Sequence, residues 1–135
     1  MSYEGFTPTI PPLHQPFWEA VNRHRAELQR CDECGRFRFI PSERCRCGST
    51  ASTWTPIAGT GEVYTFTVVH RAPTPYYQGR APYVIAHVTM DEGPRMISTL
   101  EGCDPAEVIV GMPVTLVYDD VSPELTLYRF QPRKT

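Results

Sequence analysis

Lysine is nearly missing: Lys134 is the single lysine among 135 residues, and arginine supplies the rest of the 13 basic side chains. A surface dense in lysine and arginine, which contact with nucleic-acid phosphates demands, is therefore not on offer, and a net charge of −2 points the same way. Long apolar runs are absent as well. No stretch approaches eighteen apolar residues, so no transmembrane helix is expected. The start, Met1-Ser2-Tyr3-Glu4-Gly5, carries neither a basic cluster nor an apolar segment, so no secretory signal is expected. The cytoplasm is then the expected compartment, where thiols stay reduced and bind metal rather than pair. Internal repeats and low-complexity tracts are lacking too.

What the chain does have is cysteine, concentrated. Cys31, Cys34, Cys45 and Cys47 fall within one short segment. Cys31-Asp-Glu-Cys34-Gly has the spacing of a zinc knuckle, in which two thiolates and a following glycine wrap one side of a tetrahedral ion. Cys45-Arg-Cys47-Gly supplies two more thiolates. Four cysteine ligands leave no open coordination position, so the expected zinc is structural. Phe37 and Phe39 alternate with Arg36 and Arg38, the period of a strand covered on one face.

Before the cysteines lies a proline-rich segment with Pro8, Pro11, Pro12 and Pro16, read as an extended arm leading into a short helix. Phe17, Trp18 and Val21 give that helix an apolar side. Phe17 and Trp18 either plug the chain's own core or anchor a partner. After the cysteines the pattern is almost entirely strand. The runs are Glu62–His70, Tyr83–Met90, Arg95–Leu100, Val114–Tyr118 and Leu125–Phe130. Asp104-Pro105-Ala106-Glu107 is a capped helix start between the third and fourth. Five strands and one small helix predict a closed barrel of the OB type. The expected fold is thus mostly β: an N-terminal helix and zinc ribbon followed by a five-stranded OB-fold barrel. The expected units are residues 1–30 (arm and helix), 31–50 (rubredoxin-like ribbon) and 51–135 (OB fold).

No catalytic set emerges. His14 and His24 are expected to be solvated, His87 to be a hydrogen-bonded core imidazole, and Cys103 to be an inert thiol whose carboxylate neighbour Asp104 raises its pKa. His70 closes a strand beside the loop 71–82 and is the histidine best placed to meet a ligand. That loop is long for a hairpin connection and carries Arg71, Tyr76, Tyr77 and Arg80. Arginine beside tyrosine suits an adenine ring and a phosphate, or a protein hot spot. Charge is uneven: residues 23–46 hold seven arginines and four acids, and residues 104–124 hold five acids and no base. The two stretches form either ordinary solvated faces or a dipolar surface that orients a partner.

Phe17-Trp18-Glu19, Cys31-x-x-Cys34-Gly, Gly59-x-Gly61, Pro82-Tyr83-Val84, Gly111-Met112-Pro113-Val114 and Phe130-x-Pro132 together resemble the acyl-CoA-associated OB-fold proteins with an N-terminal rubredoxin-like zinc ribbon. The resemblance covers about residues 16–132. It implies a non-catalytic accessory subunit of a thiolase-family enzyme, thiolase or thiolase-like aldolase, acting on acyl-CoA substrates such as those of sterol side-chain or lipid degradation. It also implies a hot-dog-fold hydratase as a further partner, and contact with CoA. The family's second knuckle is Cys-x-x-Cys-Gly, and here it is one residue shorter. The alternative is a single-stranded nucleic-acid-binding zinc-ribbon and OB protein, against which the shortage of basic residues weighs.

Overall fold

The computed structural model describes Gly5 and residues 7–133. The first residues of the expected arm, and Lys134, lie outside the described residues. A 3-10 turn at Pro12–His14 leads directly into α1, Gln15–Asn22, with Pro16 in the first turn where its missing N–H costs nothing. The helix buries Phe17, Ala20 and Val21. It ends at Asn22, and just beyond its cap His24 takes a left-handed φ of 59°.

Three strands build the ribbon: β1 (Glu27–Cys31), β2 (Phe37–Arg38) and β3 (Ser52–Pro56), in the order β2-β1-β3. The remaining strands are β4 (Thr60–Val69), β5 (Tyr83–Met90), β6 (Arg95–Leu100), β7 (Pro113–Ser122) and β8 (Leu125–Pro132). They close a barrel in the order β4-β5-β6-β8-β7. All barrel pairs are antiparallel except β6 with β8, where Leu100 faces Phe130. This is the five-stranded OB fold that the strand count predicts. β7 and β8 run past their expected ends into one long hairpin, and the loop 71–82 contains a single helical turn, α2 (Pro75–Gln78). Asp104 caps its 3-10 turn as expected, accepting from the Ala106 N–H at 2.9 Å.

Closure depends on Gly61. It pairs with Met90 on one side and Val114 on the other. A Cβ there would sit 2.5 Å from the Thr89 carbonyl and 2.8 Å from Val88 Cγ1. We expect Gly61→Ala to cost about 1–3 kcal/mol in denaturant unfolding, because rigid backbone rather than a mobile side chain stands in the way.

Side chains such as Val63, Val88, Met96, Val114 and Phe130 fill the barrel. An aromatic cluster joins all three parts of the molecule. Phe17 of α1 lies 5.1 Å from Phe39 of the ribbon and 5.7 Å from Tyr128 of β8, ring centre to ring centre. Polar ties run alongside. The Tyr118 hydroxyl accepts from the Ala26 N–H at 2.9 Å, and the Thr126 N–H donates to Asn22 Oδ1 at 2.9 Å. The His24 ring stacks on Tyr118 and meets Asp120 through Nε2 at 2.8 Å.

Candidate functional site

The ribbon brings the four cysteines together. Their sulfurs all lie within 4.8 Å of one another, with 3.6 Å between Cys31 and Cys47 and 3.5 Å between Cys34 and Cys45. A zinc ion with Zn–S bonds of ~2.3 Å needs sulfurs ~3.8 Å apart, so the set fits a tetrahedral structural zinc. Local backbone explains how. The Gly35 N–H bonds the Cys31 carbonyl at 3.0 Å, with Gly35 at φ 78°. The shortened second pair is completed differently: the Gly48 N–H bonds the Cys45 carbonyl at 2.9 Å, Gly48 takes φ 97°, and the Cys45 N–H reaches Ser49. Positive φ without a side-chain penalty is what glycine supplies at both places.

The electrostatics ask for a cation. The Cys34 amide, with Cys34 N 3.5 Å from Cys31 Sγ, holds the Cys31 thiol down to about 6 despite its burial. The Cys47 amide lowers Cys45 in the same way. The Ser49 amide also pulls on Cys47, but the crowding sulfurs of Cys31 and Cys45 prevail and push it up to about 11. Adjacent thiolates repel, and a dication removes that repulsion.

A cleft of about 440 Å³ opens beside the ribbon, against β5 and β6. Trp18, half-buried, and Phe17 both line it, and Phe17, only 2% exposed, is also part of the chain's own core. Phe39, Ile40 and Pro41 form its ribbon wall. That wall is held by buried Gln29, whose amide donates to the Ser42 carbonyl at 3.0 Å and accepts from the Ser42 N–H at 2.9 Å. His87 corrects the sequence reading: it is exposed and lines the cleft instead of sitting in the core. Strand alternation explains this, since its neighbours Ala86 and Val88 take the inward positions.

The tyrosine loop borders a second cavity. Tyr76 and Tyr77 are half-buried, not exposed as their loop setting suggests. Tyr77 packs on Tyr83 at 5.0 Å, and the Arg80 guanidinium lies over Tyr76 at 4.5 Å. Arg80 also pairs with Glu101 at 3.7 Å. Arg71 and His70 are exposed at the end of β4. Between the loop and β6 lies a cavity of about 290 Å³, lined by Tyr77, Arg80, Cys103 and Arg129 among others. Burial, then Glu107 and Asp104, raise the Cys103 thiol, which makes it a poor nucleophile at neutral pH.

Sequence reading missed Arg129. It is 3% exposed, donates through Nε to Asp119 at 2.8 Å and through Nη1 to Thr99 at 2.9 Å. Burial opposes its charge, but Tyr77, Asp119 and Glu101 carry its pKa above the usual arginine value. An arginine set between Tyr128 and Phe130 in a strand was the available signal.

His24 and Asp120 are exposed yet engaged with each other. Hydrogen bonds from His24 and Thr126 hold the Asp120 carboxyl below its ordinary value. A lowered carboxyl pKa contributes stability above the unfolded-state value and loses it as pH falls through the folded one. Below about pH 3.9 the wild type should therefore lose stability faster than Asp120→Asn, in thermal melts taken from pH 6 downward.

Comparison with known proteins follows the two halves of this architecture. Residues 18–53 match the family described as ChsH2, rubredoxin-like zinc ribbon domain, and residues 54–119 match ChsH2, C-terminal OB-fold domain. The chain is similar to a solved chain of an "Ltp2-ChsH2(DUF35) aldolase", with TM-score 0.85 and 38% identity over 93% of this chain and 98% of that one. It is 39% identical to the 3-oxo-4,17-pregnadiene-20-carboxyl-CoA hydratase alpha subunit of Mycobacterium tuberculosis, over 86% of this chain and 36% of that protein. It is 38% identical to a DUF35 domain-containing scaffold protein of Methanocaldococcus jannaschii, over 66% of this chain and 64% of that protein. A benzoylsuccinyl-CoA thiolase subunit of Geobacter metallireducens is 28% identical over 76% of this chain and 70% of its own length. The chain thus spans about a third of the length of the hydratase subunits it matches.

Proposed function

Because the chain belongs to the family of ChsH2-type proteins that join a rubredoxin-like zinc ribbon to an OB-fold domain, we propose that it is a non-catalytic accessory subunit of an enzyme acting on acyl-CoA thioesters. The partner is a thiolase-family enzyme, a thiolase or a thiolase-like aldolase, which makes or breaks the carbon–carbon bond. Large acyl groups of the sterol side-chain type are the proposed substrates, in keeping with the steroid-derived thioester in one relative's name. A hot-dog-fold hydratase is proposed as a second associate.

One observation carries the reading: this chain covers 98% of a chain of the solved "Ltp2-ChsH2(DUF35) aldolase" at 38% identity. The chemistry of the site is consistent with it. Four thiolates saturate a zinc ion, so Cys31, Cys34, Cys45 and Cys47 would hold it and the ion would supply rigidity rather than a Lewis-acid position. Arg71, Tyr76, Tyr77 and Arg80 are the proposed contacts to the partner or its CoA ligand, and Trp18 is a proposed partner contact beside the ribbon. Localisation in the cytoplasm is part of the same proposal. Among the described residues no helix is long and apolar enough to cross a membrane.

Co-expression with thiolase-family enzymes, followed by size-exclusion chromatography, tests the assignment. Tyr77→Ala and Arg80→Ala should weaken complex formation or CoA affinity at least about fivefold, the effect of losing roughly 1 kcal/mol. If both variants match the wild type in both measurements, the loop has no such role.

A further inference from the structure

The cleft between ribbon and barrel has a chemistry of its own. Its walls are apolar, with Trp18, Phe39, Met96 and Tyr128 among them. Ile40 and Ile97 also line it and remain 62% and 45% exposed, so hydrocarbon surface is left open to water here. The volume of about 440 Å³ falls within the range of small-molecule sites.

The ionisable lining is one-sided. His14, His87 and Arg95 line the cleft, and among the described residues no aspartate or glutamate does. Strand pairing places these groups: His87 faces Ile97 across β5 and β6, and Arg95 faces Thr89. The Arg95 guanidinium stacks on the Tyr64 ring at 3.6 Å and makes no ion pair with any described carboxylate. Stacking orients the group and leaves its edge N–H donors for an acceptor.

Shape and charge together restrict the occupant. An apolar body with one acidic group satisfies both walls and rim. A nucleobase fits less well, because its edge needs several hydrogen-bonding partners, and among the described lining side chains other than the histidines and Arg95 only the Trp18 indole N–H and the hydroxyls of Thr9 and Tyr128 are polar. The Tyr128 hydroxyl already donates to the Ile97 carbonyl at 3.0 Å.

We propose that this cleft binds the hydrocarbon part of an amphiphile carrying one carboxylate, with Arg95 as the counter-charge. The cleft shares no lining residue with the cavity at the tyrosine loop, and the proposal does not rest on the partner reading.

Calorimetric titration of the full zinc-loaded chain tests it, with dodecanoate, dodecanol and dodecylammonium as probes below their aggregation concentrations. Dodecanoate should bind one to one, about tenfold tighter than dodecanol, and dodecylammonium should bind weakest. Arg95→Gln should abolish the preference for the acid while leaving dodecanol affinity within about twofold of wild type. Arg95 is exposed, and unchanged zinc content and melting temperature would show the variant folded. Ile97→Asp should weaken dodecanoate and dodecanol, through the lost apolar surface and, for the acid, through like-charge repulsion. The proposal is overturned if no probe binds, which would assign the apolar walls to a polypeptide interface. It is equally overturned if the acid preference survives Arg95→Gln.

Discussion

Chelation of the zinc will unfold the ribbon while the barrel keeps its strands. Structural zinc is worth on the order of 10 kcal/mol in small ribbons and fingers, more than the three short strands Glu27–Cys31, Phe37–Arg38 and Ser52–Pro56 can supply by pairing alone. In hydrogen exchange, amides of β1 and β3 should lose protection on metal removal, and those of β5 and β8 should retain it. Cys34→Ser should reproduce the effect without a chelator. The Phe39–Pro41 wall of the cleft belongs to the ribbon, so dodecanoate binding should vanish in the same sample. Protection that is unchanged after the metal has been removed completely would show that the ion is not a structural element.

Phe17→Ala should be the most damaging single core change, costing about 3–5 kcal/mol in denaturant unfolding. Phe17 is the ring on which helix, ribbon and barrel converge, through Trp18 at 5.3 Å, Phe39 at 5.1 Å and Tyr128 at 5.7 Å. Its loss would leave a cavity that three separate elements would have to close together. Trp18→Ala removes a half-buried neighbour and should cost visibly less. The contrast separates two adjacent aromatics that the sequence presents as equivalent: one belongs to the fold, the other to the surface. A loss below about 1 kcal/mol for Phe17→Ala would mean that the three parts are held independently.

The legibility of the chain divides along physical lines. Strands β5 and β6 could be bounded from sequence because Asp91-Glu92-Gly93 marks the turn and alternation marks the faces. The barrel followed from strand count and the capped turn at Asp104. The cysteine cluster was legible because metal ligation needs thiols at short spacing, and Gly48 accommodates the missing residue through its positive φ. What stayed hidden depends on distant pairing. His87 looked like a core residue in an apolar strand, and only its register against Thr65 and Ile97 shows that it faces outward. Arg129 meets Asp119 across the β7–β8 hairpin and Thr99 from β6, contacts that no local pattern encodes. The cleft itself is made by an arm, a helix, a ribbon loop and three strands, brought together by tertiary packing alone.

In the proposed arrangement a zinc-stapled platform supports a reaction carried out by another polypeptide. The most direct measurement is acyl-CoA carbon–carbon cleavage by a co-expressed thiolase-family enzyme, assayed with the enzyme alone, with the zinc-loaded chain alone, and with the two combined. No turnover is expected from the chain alone; the mixture should give a stable complex, with activity that rises with added chain until the complex is saturated. Turnover of thioesters by the chain unaided, or a partner equally active and equally stable without it, would contradict the account.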